Sequence, residues 1–158
     1  MRRAEHGLTL VEVTVVMVLA SLVMVGLVGF YISAQTTWLA ASAQAVSQRE
    51  GTLALQAIAD STRRSVTAVV SAGPDAQHDQ LTLTDTDGNL TVFAWHADDS
   101  LLYWSYAGGP EKALLNSRVR RFVLSCDDTL LSVVGLEVID PNGVRIPLSG
   151  GAKIYNRP

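Results

Sequence analysis

The stretch from Gly7 to Ala34, GLTLVEVTVVMVLASLVMVGLVGFYISA, decides how the rest of the chain is read, because it holds a single charged side chain, Glu12. From Val13 to Gln48 no charged residue occurs at all. Val13 to Ile32 supplies twenty residues whose polar side chains are Thr14 and Ser21. At about 1.5 Å rise per residue, such a helix crosses a hydrocarbon layer of about 30 Å. Arg2 and Arg3 precede the span and the next basic residue is Arg49. That asymmetry predicts a cytoplasmic N-terminus with the remainder outside. Tyr31 and Trp38 lie where the helix emerges, suited to an interfacial aromatic anchor.

Two ordinary explanations leave Glu12 unexplained. A secretory signal peptide has an apolar region of only about 7–15 residues with a small-residue cut site directly after it. Here the run is longer, and Ala41-Ser42-Ala43 lies well beyond it. A plain signal anchor fits the length but supplies no reason for an acid. A carboxylate in a membrane-spanning helix costs about 2.5–3.5 kcal/mol at the centre and less towards the interface. No Lys or Arg lies one helical turn away to offset it, so Glu12 calls for a partner.

Gly7-Leu8-Thr9-Leu10-Val11-Glu12-Val13 resembles the type IV prepilin motif: a short leader ending in Gly, an apolar first mature residue, and Glu at the fifth mature position. The resemblance covers about thirty residues. Leu8 departs from the Phe more usual at the first mature position. It implies that a membrane-bound prepilin peptidase cuts between Gly7 and Leu8 and methylates the new amine of Leu8. It also implies that Glu12 pairs with the N-terminal amine of a neighbouring subunit during assembly. The physical logic is consistent: Gly7 has no Cβ to hinder access to the bond. The freed ammonium sits at the positive end of the helix dipole, where a carboxylate offsets it. A buried pair of this kind sets register better than it stabilises.

Beyond Ala34 the chain stays rich in Ala, Gln and Leu without Pro, which predicts one helix from about Leu8 to about Arg64. Leu39, Ala43, Val46, Leu53 and Ala57 recur at helical spacing and predict the packed face of its second half. Gly26 and Gly29, each costing about 1 kcal/mol relative to Ala in a helix, would serve bending or close helix packing. From Ser65 the period becomes alternating, with Leu81/Leu83, Leu102/Trp104 and Leu136/Val138 among the repeats. Turn signals such as Asp87-Gly88-Asn89 and Pro141-Asn142-Gly143 separate them. This predicts an antiparallel sheet of six to eight strands with one face laid on the helix.

The expected fold is therefore α+β and pilin-like, with a leader at 1–7, a transmembrane or fibre-core half at 8–34, an amphipathic half at 35–65 and a β-rich part at 66–158. The strand-rich body and the ending Ala152-Lys153-Ile154-Tyr155-Asn156-Arg157 resemble minor pilins and J-type pseudopilins of type II secretion. With Cys126 alone, no disulfide of the major-pilin kind can form, and in its apolar stretch it reads as a small buried hydrophobe.

Other chemistry is not indicated. Asp85-Thr86-Asp87-Gly88-Asn89 begins like a calcium loop, but His96 stands where an EF-hand needs Glu, so a hairpin turn is the reading. His78 and His96 are isolated, and no metal set, phosphate loop or nucleophile elbow occurs. We expect no enzymatic activity, no cofactor and no metal. The near-neutral charge gives no reason to expect nucleic acid as the main partner, and Arg63, Arg64, Arg118, Arg120 and Arg121 read as a solvated face. The expected partners are prepilin peptidase, other pilin or pseudopilin subunits, and the inner membrane. Two rivals stay open: a membrane-anchored binding module that builds no fibre, and a DNA-uptake or adhesive minor pilin.

Overall fold

The computed structural model describes residues 9–72, 78–127 and 130–154. One helix, α1, runs over Leu10–Arg64, and eight strands follow it. The chain divides into two compact units, Met1–Ala41 and Ser42–Pro158. The first consists of the apolar part of α1, where every described side chain is exposed to its surroundings. Gly26 and Gly29 do not interrupt the helix.

In the second unit, β1 (Ser65–Ala72), β2 (Asp79–Asp85), β3 (Leu90–His96), β4 (Leu101–Tyr106) and β5 (Lys112–Ala113) form one antiparallel sheet in chain order. A separate sheet contains β6 (Arg118–Asp127), β7 (Leu130–Ile139) and β8 (Arg145–Lys153). The α+β layout, with a long N-terminal helix followed by antiparallel strands, is the expected one. The expectation of a single sheet is corrected to two.

The hairpin loops account for the in-order pairing. Asp85 Oδ1 accepts from the backbone N–H groups of Asp87 and Asn89, both at 2.9 Å. Gly88 supplies the positive φ of 82° that the turn requires. Asp140, only 4% exposed, does the same between β7 and β8, accepting from Asn142 N and Val144 N at 2.9 and 2.7 Å. These aspartates replace missing turn partners, so the first is a hairpin device as expected.

After β5 the chain leaves the first sheet, and the crossover is clasped to α1. Glu50 accepts the Ser117 N–H at 3.0 Å and the Asn116 N–H and Nδ2 at 3.3 Å each. Ser117 Oγ donates to Ser47 Oγ at 3.1 Å. Burial pushes the Glu50 carboxyl up, but the donors of Ser117 and Asn116 outweigh it and hold its pKa below the ordinary value. The two sheets are tied where β6 begins to pass them. Asp79 Oδ2 accepts the Leu124 N–H at 2.7 Å, and Trp95 Nε1 donates to Val119 O at 3.0 Å.

One core serves both sheets. Ile58 and Ala54 of α1 meet Leu81, Leu83, Phe93, Phe122, Leu136 and Val138. The helix face that packs is not the expected one, since Leu39, Val46 and Leu53 are more than half exposed. Ser47, Gly51, Ala54, Ile58 and Thr62 are buried instead. Shape decides this. A Cβ on Gly51 would overlap Leu148 Cδ1 and approach Val138 Cγ2 to 3.2 Å, so a larger residue here requires the Leu148 side chain to move. The small residues at 47, 51 and 54 form a groove into which the second sheet fits, and a more hydrophobic stripe would stand off. Cys126 is also corrected, being exposed at the strand end with Sγ 3.9 Å from Ala68 O. Bulges in β7 between Val133 and Leu136 put Leu136 and Val138 inward while Val134 stays exposed.

Two outcomes follow from this packing. Gly51→Leu, overpacking a filled interface, lowers stability by about 1–3 kcal/mol, which thermal unfolding in detergent reads as a drop of several degrees in Tm. Glu50→Gln lowers stability at neutral pH by about 1 kcal/mol, allowing for solvent screening of a part-exposed carboxylate. Because the folded pKa is depressed, the wild-type advantage is full above about pH 4.5, the region of an unfolded Glu. It disappears as pH falls through the lower folded value, so the two unfolding curves converge in acid.

Candidate functional site

The distinguishing chemistry lies at the head of α1. Thr9 and Glu12, three residues apart, close a reciprocal cap. Glu12 Oε2 accepts from Thr9 N–H at 2.8 Å and from Thr9 Oγ1–H at 2.9 Å. In return, Glu12 N–H donates to Thr9 Oγ1 at 3.3 Å. The first helical bond, from Val13 N to Thr9 O at 3.2 Å, begins directly within this frame.

The partner that Glu12 requires is therefore present, in part, on its own helix. Reading for a neighbouring Lys or Arg overlooked it; the signal was Thr-x-x-Glu ahead of an apolar run. The cap engages one carboxylate oxygen, and Oε1 has no donor among the described residues. Gly7 and Leu8, the expected processing residues, lie outside the described residues.

Below the cap, the helix surface is nearly free of polar groups. Thr14 Oγ1 donates to the backbone oxygens of Leu10 and Val11 at 3.1 and 2.9 Å, and Ser21 Oγ donates to Val18 O at 2.7 Å. Both hydroxyls are satisfied on the helix itself, as a low-dielectric setting demands. What the helix then offers outward is aliphatic: Leu22, Val25 and Phe30 are each more than 70% exposed. The helix is long and apolar enough to cross a membrane. At the end of the apolar run Gln35 Nε2 donates to Tyr31 OH at 2.7 Å, and the exposed Trp38 follows one turn on. Polar and aromatic groups meet there, as they do at membrane–water boundaries.

Among the described residues no group of three or more His, Cys, Asp or Glu side chains converges to hold a metal. His78 stacks on Trp95 with ring centroids 3.5 Å apart, and His96 pairs with Glu111 at 3.1 Å, so the two histidines belong to different settings. Arg63 is ion-paired to Asp60 at 2.8 Å, and Arg118, Arg120 and Arg121 lie exposed on β6.

Residues 2–28 match the family model described as the prokaryotic N-terminal methylation motif. No curated protein and no solved structure matches the chain. The matched segment takes in Gly7, Leu8, the Thr9–Glu12 cap and most of the apolar run, and none of the strands. Motif and helix together fit a type IV pilin-like subunit.

The cap carries its own test. Thr9→Val removes two of its three hydrogen bonds and should destabilise the first turn by about 1 kcal/mol. Amide exchange at residues 10–13 should speed up about fivefold while residues beyond 20 are unchanged. Unaltered exchange would show the cap to be energetically idle.

Proposed function

We propose that this chain is a structural subunit of a type IV pilus or type II secretion pseudopilus, a minor pilin or pseudopilin rather than an enzyme. Prepilin peptidase would cut between Gly7 and Leu8 and methylate Leu8, and the mature subunit would rest in the inner membrane before its helix enters a fibre. The observation that carries this reading is a capped carboxylate, Glu12, at the head of a helix whose run from Val13 to Ala41 is uncharged and unburied. An anchor has no use for that acid, whereas a register between helices does.

The geometry sharpens the role. The cap uses Thr9 and Glu12, both on the mature side of the cut, so processing leaves its bonds intact. Cleavage creates an ammonium on Leu8, next to the amide that Glu12 already binds. Glu12 Oε1 then remains for a second donor, from its own chain or a neighbour's amine. Moving from membrane to fibre would exchange one apolar surrounding for another, and charge pairing would select the axial position.

The rival anchored binding module has one observation in its favour. A cavity of about 500 Å³ opens between the last turns of α1 and the first sheet, with Phe93, Trp104 and Tyr106 among its lining. It predicts an uncut chain whose function survives replacement of the span.

Mass spectrometry of the protein from its native membrane decides between these readings. The expected N-terminus is methylated Leu8, and a chain still beginning at Met1 would sink the proposal. Glu12→Ala should be processed like the wild type yet enter fibres at least tenfold less; normal incorporation would remove the charge-pairing role.

A further inference from the structure

The two sheets of the second unit turn very different outer faces away from the core. In β2 the buried Leu81 and Leu83 point inward, so Thr82 and Thr84 point outward. Register then carries a row straight across four strands: Val69 opposite Thr82, Thr82 opposite Val92, and Val92 opposite Ser105. None of these four side chains is buried, and Val69 is 58% exposed. Reading every outward position of β1 to β4 by the same alternation finds no Asp, Glu, Lys or Arg; His96, paired with Glu111, and Tyr103, bonded to Asp99, mark its edge at the β3–β4 turn. Among the described residues, charges lie around this face, in the turns at Asp87 and at Asp98-Asp99, at Glu111 beyond β4 and at Lys112 on β5. The second sheet lacks this pattern. Arg121 and Glu137 are register partners there, and Arg145 pairs with Glu137 at 3.7 Å.

An uncharged centre inside a charged rim is the anatomy of a protein interface, where charged residues are depleted from the core of the patch. We infer that the outer face of the β1–β4 sheet docks face to face on the same face of a second copy of this chain. Self-docking suits the face because its centre, the row Val69, Thr82, Val92 and Ser105, carries no charge to repel its own image. Two such sheets can pack about 10 Å apart with strands nearly aligned. A differently charged partner would find nothing to pair with there.

The size sets how firm the contact is. Four strands at about 4.8 Å spacing and about 3.3 Å per residue present roughly 500 Å² per copy, or roughly 1,000 Å² for a pair. That is the lower limit for a specific interface. Hydroxyls of Thr and Ser share the face with Val, so it stays soluble when unpaired and the contact is transient. This contact belongs to the globular unit and does not depend on how the apolar helix is used.

Cross-linking tests it in the full chain, with the exposed Cys126 first replaced by Ser. One variant then carries Thr82→Cys on the uncharged face, another Ser132→Cys on the second sheet. A short bismaleimide should give a product of twice the chain mass from Thr82→Cys, at least tenfold more than from Ser132→Cys. Adding Val92→Glu to Thr82→Cys should cut that yield at least tenfold by placing like charges opposite each other. Mixing those copies with copies carrying Thr82→Cys and Val92→Lys should restore it, which misfolding could not do. No product at Thr82, equal yields from both sheets, failure of the mixed pair, or a product only with a protein of different mass each overturns the inference. The N-terminal peptide mass from the same samples reports separately on processing, so failure of one reading is not failure of the other.

Discussion

The first half of α1 carries an apolar surface that it cannot bury within itself. None of its side chains from Leu10 to Ala41 is buried, and the two hydroxyls in the span are turned back onto the helix backbone. At about 25 cal/mol per Å² of apolar surface, leaving Leu, Val, Met and Phe along five turns in water would exceed the whole stability of a small domain. Such a surface is suited to a lipid layer or to packing among other apolar helices. Glu12 matters because it is the one place where that surface is not interchangeable along its length. The Thr9 cap lets the acid exist there without abandoning it: among the described residues, two donors reach one oxygen and leave the other.

The globular unit solves a separate problem, which is to pack two small sheets on one helix. Gly51 admits Leu148 and Val138 from the second sheet, while Ala54 and Ile58 reach a core shared by both. The chain has to change sheets after β5, and the unsatisfied N–H groups of that crossover are collected by Glu50. Polar side chains thus act at the joints: Glu50 at the crossover, Asp79 between sheets, Asp85 and Asp140 in the hairpins. Each replaces a backbone partner missing where regular pairing stops.

The sequence left some of these joints legible and hid others. Asp85 with Gly88 announces a turn because both act within five residues. The Thr9–Glu12 cap was equally local and equally readable. Glu50 gave no such sign, since its donors lie more than sixty residues away. The packed helix face was misread for a related reason: hydrophobicity ranks Leu39, Val46 and Leu53 first, but burial follows fit, and Ser47, Gly51 and Ala54 fit. Cys126 was read as a buried small hydrophobe from its apolar neighbours, but it lies exposed near the end of β6.

By itself the sequence determined the long helix, the single acid of its apolar half, the absence of other charge along that half and the strand-forming alternation that follows. Those are properties of residues near one another, set by spacing, side-chain polarity and hydration. Only the tertiary structure decided which helix face packs, where the strands divide into two sheets, and that one sheet keeps an uncharged row across the centre of its outer face. These depend on which distant backbone surfaces meet, and that is set by volume and register across the whole unit rather than by the chemistry of any one segment.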